Sequence, residues 1–210
     1  MKHQRSEEAV KFIKQKKNSL IVAGIAAVVV VLAVLSFSYL TEQRQTDARK
    51  AFGEALAAQS QDAVMADLQA VTQEYGSSVY ATYSYMLSGL NLLDKGEYRE
   101  AAIAFDEALK SKQPTATFLT ALLWELKGVA LEFDGALDDA ISAFQKSLNI
   151  PNNTYRRNET LLRVGLLNLK IGQSAQAKKF FEEIVADNTA EDRILRIAKN
   201  EIAALESYGY

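Results

Sequence analysis

The feature that most constrains the fold is a pattern of small and aromatic residues that occurs three times. In each copy a glycine is followed by an alanine 12 residues later and by a phenylalanine 4 residues after that. The three sets are Gly89, Ala101 and Phe105; Gly128, Ala140 and Phe144; and Gly165, Ala177 and Phe181. A second glycine follows the first by 7 residues, at Gly96, Gly135 and Gly172. Because glycine ends a helix at low cost, each copy is predicted to be a helix, a tight turn and a second helix.

Close packing explains why these residue types recur. The glycine and the alanine lack bulk, so two helices can approach, and the phenylalanine fills the gap to the neighbouring pair. One hairpin cannot bury its own apolar face, so stacked copies are needed to form a shared core. The composition, with 49% hydrophobic residues, 24% charged residues and two prolines, is that of an ordered helical protein. The predicted class is all-α, a solenoid of helical hairpins.

The pattern also predicts where the repeats begin and end. Three repeats are predicted at about 82–114, 121–151 and 158–188. A degenerate pair of helices is predicted at about 46–75, because Gly53 stands 36 residues before Gly89. The segment at about 190–207 is predicted to be the capping helix that a solenoid needs at its end.

An uncharged segment precedes the repeats. No charged residue lies between 18 and 41, and the 21 residues at 20–40 are long enough to cross a bilayer core of about 30 Å. The sequence therefore predicts one N-terminal transmembrane helix at 18–41. A cleaved signal peptide is the rival interpretation, but its apolar region should be about 7 to 15 residues long.

Charge on the two sides of this segment predicts the orientation. Residues 1–17 hold six basic and two acidic side chains, so this tail is expected to be cytoplasmic. Residues 42–210 then form an extracytoplasmic domain with 18 basic and 24 acidic side chains, a net charge of −6. This charge argues against binding nucleic acid or anionic lipid.

The repeats resemble the tetratricopeptide repeat, whose signature is W-x2-L-G-x2-Y, then A-x3-F, then P. The stretch WELKGVAL, residues 124–131, keeps the tryptophan and the glycine, while Lys127 and Leu131 replace the leucine and the tyrosine. The copies are spaced by 39 and 37 residues, where the family repeat has about 34. Pro114 and Pro151 follow the second helices of the first two copies.

The lead-in EEAVKFIKQKKNSL, residues 7–20, the single anchor and the repeat domain together resemble a narrower family. This is the bacterial tetratricopeptide-repeat ancillary subunit of the SecYEG translocon. The resemblance implies a protein of the bacterial inner membrane whose C-terminal domain is periplasmic. It also implies translocon subunits, periplasmic chaperones or unfolded clients as partners. The alternative is a structural scaffold for cell division, outer-membrane assembly or cytochrome maturation, without client binding.

The repeat register predicts a protein-binding groove along the first helix of each hairpin. Its candidate residues are mostly apolar. They are Tyr83, Met86, Leu90 and Leu93; Leu122, Glu125, Val129 and Phe133; and Leu162, Leu166 and Leu169. An open groove of this kind would take an apolar or amphipathic segment. The other interpretation is that the capping helix covers these residues.

Catalytic and metal-binding residue patterns are not found in the sequence. Cysteine is absent, and the single histidine, His3, lies in the predicted cytoplasmic tail. Neighbouring acids such as Asp138 and Asp139 point in different directions on a helix, which is typical of a solvated surface. We therefore predict no enzymatic activity, no cofactor, no metal site and no small-molecule substrate.

The predicted packing can be tested in the second repeat. Phe144→Ala should lower the free energy of unfolding by about 3 to 5 kcal/mol, because it empties a core position. Ala140→Leu should lower it by about 1 to 3 kcal/mol by overpacking the contact between helices. Thermal melts that matched the unsubstituted protein would show that the register is wrong.

Overall fold

The protein is described by a computed structural model in which the described residues are 30–110, 116–151, 153 and 156–209. All regular secondary structure in these residues is helical, as the sequence predicts. The chain divides into two compact units, and the boundary lies between Asp47 and Ala48. The repeats all belong to the second unit, Ala48–Tyr210. The predicted tail at 1–17, and Pro114, lie outside the described residues.

Residues 30–56, called α1, are helical, and they include the predicted boundary between residues 41 and 42. Large apolar side chains at its start are exposed, among them Val30 and Leu32. In the part of the chain that the structure describes, no helix combines the length and the apolar character needed to cross a membrane. Residues 18–29 of the predicted span lie outside that part.

Eight more helices follow in the described residues, and each predicted repeat falls on one antiparallel pair of them. The helices are α2 (Gln61–Glu74), α3 (Val79–Asp94), α4 (Tyr98–Leu109), α5 (Thr117–Asp134), α6 (Leu137–Leu148), α7 (Arg157–Lys170), α8 (Ser174–Ala186) and α9 (Asp192–Ser207). The pairs are α3 with α4, α5 with α6, and α7 with α8. Each pair also packs against the next, so the hairpins form one solenoid within the second unit.

The turn inside each hairpin contains the predicted glycine in the left-handed conformation. Gly135 has a φ of 83°, and the φ angles of Gly96 and Gly172 are 77° and 80°. The amide of Ala136 donates to the carbonyl oxygen of Leu131 at 2.9 Å, which closes the end of α5. The same hydrogen bond closes α3, where Glu97 donates to Leu92 at 2.9 Å. These turns let the chain reverse within a few residues, so the two helices of a hairpin lie side by side.

The core of each hairpin is a phenylalanine ring that lies on the backbone of a glycine. A Cβ atom added at Gly128 would lie 2.7 Å from the Phe144 ring, and one added at Gly89 would lie 2.6 Å from the Phe105 ring. The third pair, in α7 and α8, is at least as close. The phenylalanines are fully buried. Each ring therefore covers the glycine of its own hairpin. The sequence pattern had predicted only that the ring fills the gap to the neighbouring hairpin.

The same rings also reach the following hairpin. Phe105 belongs to one core cluster with Leu119 and Leu123 of α5. Phe144 shares a cluster with Val164 and Leu167 of α7. One side chain per hairpin thus joins both helices of a repeat and the first helix of the next.

Both ends of the solenoid carry an additional helix. At the N-terminal end the ring of Phe52 lies 5.7 Å from that of Tyr80 and 6.1 Å from that of Tyr83, which fixes the last turns of α1 against α3. At the C-terminal end α9 packs mainly on α8. Ile194 and Ala198 of α9 are buried in one cluster with Phe181, so α9 covers the apolar face of the last hairpin.

The contact between glycine and phenylalanine predicts a specific destabilisation. Gly128→Ala should lower the free energy of unfolding by about 1 to 3 kcal/mol, because the added methyl group forces the Phe144 ring to move. The measurement is urea denaturation followed by the fluorescence of Trp124, the single tryptophan. Combining Gly128→Ala with Phe144→Leu should cost less than the sum of the two separate changes.

Gly53→Ala is the matched control. Gly53 lies in α1 and has no atom within 4 Å of an added Cβ. This change should leave stability unchanged or raise it by up to about 1 kcal/mol, because alanine is the better helix former. Equal losses at Gly53 and Gly128 would contradict the proposed role of the ring contact.

Candidate protein-binding groove

A groove lies between the first helices of the second and third hairpins, α5 and α7. Its cavity volume is about 510 Å³, and Arg193 of α9 lies at its edge. Five of the sequence-predicted groove residues line it. They are Leu122, Glu125, Val129, Leu162 and Leu166. Adjacent hairpins place these residues side by side because α5 and α7 occupy the same position in consecutive repeats.

Apolar side chains from both helices line this groove. Leu126 of α5 and Leu167 of α7 add to the predicted apolar residues. Leu166 remains 41% exposed, whereas Leu162 is 9% exposed and belongs largely to the core. α9 does not close the groove, since Leu166 stays accessible beside it. An accessible apolar surface bounded by charged side chains is typical of a site for another protein.

The predicted residues of the first hairpin lie away from this groove. Tyr83 packs in the aromatic cluster with Phe52. Met86 and Leu93 are partly buried against the core around Phe105. Leu90 is the most exposed of the predicted residues in α3, with 38% of its surface accessible.

Two further predicted residues also lie elsewhere. Phe133, at the end of α5, stacks on Tyr98 at a centroid distance of 5.1 Å and is 58% exposed. Leu169 packs against the C-terminal core cluster that includes Phe181. The structure therefore brings together the predicted residues of α5 other than Phe133 with those in the middle of α7, and separates the others.

Sequence reasoning missed most of the charged residues of the groove. The cations come from α7, its N-cap and α9, and the acids come from α5 and the first turn of α7. They are Arg156, Arg163, Lys170 and Arg193, and Glu125, Glu132 and Glu159. A signal was present in the sequence, because Arg156, Arg163 and Lys170 are spaced by seven residues, which is close to two helical turns.

One ion pair crosses the groove. Arg163 Nε lies 2.9 Å from the Glu132 carboxylate, and the Arg163 guanidinium lies 5.6 Å from the centre of the Phe144 ring. These contacts hold Arg163 against the hairpin core. Among the described residues, no ion pair involves Lys170 or Arg193.

Glu125 is the most unusual of the acids. Burial raises the pKa of its carboxyl group above the ordinary value. The hydrogen bond from Thr160 and the positive charge of Arg156 oppose this increase without cancelling it. The protonated form is thus favoured by the position of Glu125 in the wall of the groove.

The Thr160 hydroxyl group has a second acceptor besides Glu125. Its hydroxyl group contacts the Glu125 carboxyl group and lies 3.0 Å from the carbonyl oxygen of Arg156. A hydroxyl group has one proton, so it cannot donate to both acceptors at once. The Thr160 hydroxyl therefore lowers the pKa of Glu125 only when it donates to the carboxylate and not to the carbonyl oxygen of Arg156.

Residues 11–120, just over half of the chain, match the tetratricopeptide repeat-like domain family. The chain belongs to this family. A solved structure of PilF from Pseudomonas aeruginosa is similar over 79% of this chain and 70% of that one, with a TM-score of 0.52 and 17% identity. At that identity the likeness concerns the fold alone. No curated protein matches the chain.

The tetratricopeptide repeat-like fold is typically a non-catalytic scaffold for protein–protein interaction. Within the described residues, no group of three or more histidine, cysteine or acidic side chains could hold a metal ion. The groove instead offers an apolar surface with charged edges, which is the chemistry of peptide recognition. The first hairpin lies inside the matched residues, and the groove-forming helix α7 lies beyond them.

The raised pKa of Glu125 predicts a stability that depends on pH. When the pKa of a carboxyl group is higher in the folded state than in the unfolded chain, folding favours the protonated form. Its contribution to stability is complete below the unfolded pKa of about 4.5 and is lost as the pH rises through the folded pKa. At pH 7 Glu125→Gln should therefore raise the urea midpoint, because glutamine is neutral and does not carry the desolvation cost of a partly buried carboxylate. The difference should shrink as pH is lowered to 4.

Glu182→Gln on the exposed side of α8 serves as the control and should change the urea midpoint little at either pH. If Glu125→Gln destabilised the protein at pH 7, the carboxylate would be better solvated than its burial indicates.

Proposed function

We propose that this protein is a membrane-anchored interaction module, accessory to the Sec translocon, that links it to periplasmic chaperones or emerging clients. The observation that carries the proposal is the groove between α5 and α7. It combines an accessible apolar surface around Leu166 with charged edges, and it belongs to a fold that typically binds proteins.

The proposed anchor is supported by the sequence. The uncharged stretch at 18–41 has the length of a membrane span, and the basic residues before it favour a cytoplasmic N-terminus. The family match begins at residue 11, before this stretch, so the stretch is part of what the chain shares with its family. The acidic domain that follows would be periplasmic and would stand off anionic lipid.

An unfolded or amphipathic client suits the groove physically. Such a segment exposes apolar side chains, and burying them against Leu122 and Leu166 releases about 25 cal/mol per Å² of apolar surface. A rigid solenoid presents this surface without ordering a loop, so little conformational entropy is lost on binding.

Site-specific photocrosslinking in living cells tests the proposal. A photoreactive residue is placed in the full-length chain at Val30, at Leu166 in the groove, or at Ser142, an exposed control position on α6. We expect crosslinked adducts with translocon subunits from Val30, and adducts with chaperones or several secreted proteins from Leu166. Ser142 should give neither group of adducts.

The pattern of adducts separates this proposal from the scaffold alternative. One folded partner crosslinked from both Val30 and Leu166 would favour a scaffold for another envelope complex. A full-length protein that carbonate extraction releases from membranes would contradict the proposed anchor.

A further inference from the structure

The two sides of the groove differ in chemistry. The α5 side has the acids Glu125 and Glu132 beside apolar side chains, whereas apolar side chains of α7 lie beside cations. The α7 side carries Arg163 and Lys170 seven residues apart, and Arg193 of α9 adds a third cation. Seven residues of helix correspond to about 10.5 Å, so Arg163 and Lys170 follow each other along α7. We call Arg163, Lys170 and Arg193 the basic edge.

The repeat does not require the basic edge. The position of Lys170 is occupied by Phe133 in the second hairpin and by Asp94 in the first. The position of Arg163 is occupied by Leu126 and Leu87. Since the other hairpins fold with different side chains at these positions, the cations are specific to the third hairpin.

Part of the basic edge has no ionic partner within the protein. Arg163 is paired with Glu132. Lys170 and Arg193 are exposed, and no ion pair involves them among the described residues. These two cations stand out because residues 42–210 have a net charge of −6. A partner that approaches the groove can therefore supply their counter-charges.

From this arrangement we infer that the groove takes an amphipathic helix with an apolar stripe and acidic side chains along one edge of that stripe. The inference rests on the proposed function and adds the chemistry of the partner. The apolar stripe would pack between Val129 of α5 and Leu166 of α7, and the acids would face Lys170 and Arg193. Complementary charges at the rim select the partner and its orientation more than they add affinity.

Three labelled peptides test the charge requirement. The first carries leucines on one face and glutamates along one edge of it, and the second has lysines in place of the glutamates. The third has the composition of the first with its leucines spread around the helix. Each is titrated by fluorescence anisotropy against the full-length protein in nanodiscs of zwitterionic lipid. Empty nanodiscs measure the peptide taken up by the lipid.

We expect the glutamate peptide to bind about tenfold more tightly than the lysine peptide, because two exposed ion pairs replace two repulsions. The scrambled peptide should bind more weakly than the glutamate peptide, since it has no continuous apolar face. The preference should decrease in about 0.5 M salt, where exposed charges are screened.

Two matched double variants assign this preference to the basic edge. Lys170→Gln with Arg193→Gln should reduce the preference to less than about threefold. Lys179→Gln with Lys199→Gln removes the same charge from exposed positions on α8 and α9 that do not line the groove, and should leave the preference intact.

The outcomes distinguish the inference from the proposed function. If the glutamate and lysine peptides bind equally and Leu166→Asp abolishes both interactions, the groove binds helices without selecting their charge, and only the inference fails. Tighter binding of the lysine peptide also overturns the inference. If no peptide binds the unsubstituted protein, both the inference and the proposed client groove fail.

Discussion

The packing of a phenylalanine ring on a glycine backbone is the contact on which the rest of this structure depends. The ring of Phe144 fills the space that a Cβ at Gly128 would need, and it also reaches Val164 of the next hairpin. The same arrangement sets the distance between the two helices of a hairpin and the position of the following helix. Because it occurs in three consecutive hairpins, α3, α5 and α7 are presented in the same way, and a groove can form between neighbours.

The residues that form this contact are fixed by close packing, whereas those facing the groove are not. Phe105, Phe144 and Phe181 are all fully buried. The groove position represented by Leu166 remains accessible in its own hairpin and is occupied by Val129 and Leu90 in the others. Substitution there changes the binding surface with little effect on the core, which allows one fold to serve different partners.

The local hairpins were predictable from the sequence because glycine, alanine and phenylalanine recur at fixed offsets. The N-terminal helices were less predictable, because the alanine and phenylalanine positions of the degenerate pair hold Met65 and Gln69. Nothing in that pattern indicated that α1 continues through residue 41 or that Phe52 packs on Tyr80. The groove was predicted in part, since Leu122, Val129 and Leu166 share a helical face. The spacing of Arg156, Arg163 and Lys170 is visible within one repeat, but the acids of α5 and Arg193 join them only because of which helices become neighbours.

Glu125 shows how the groove and the core constrain each other. The equivalent positions hold Met86 and Leu162, so the repeat accepts an apolar side chain there. An acid at this position loses solvation, and its raised pKa records that cost. At neutral pH this loss of solvation lowers the stability of the folded state, because the side chain is ionised in the unfolded chain. The contacts with Thr160 and Arg156 reduce it, and both residues also line the groove. The residues that line the groove at this point therefore also determine how much Glu125 lowers the stability of the folded state at neutral pH.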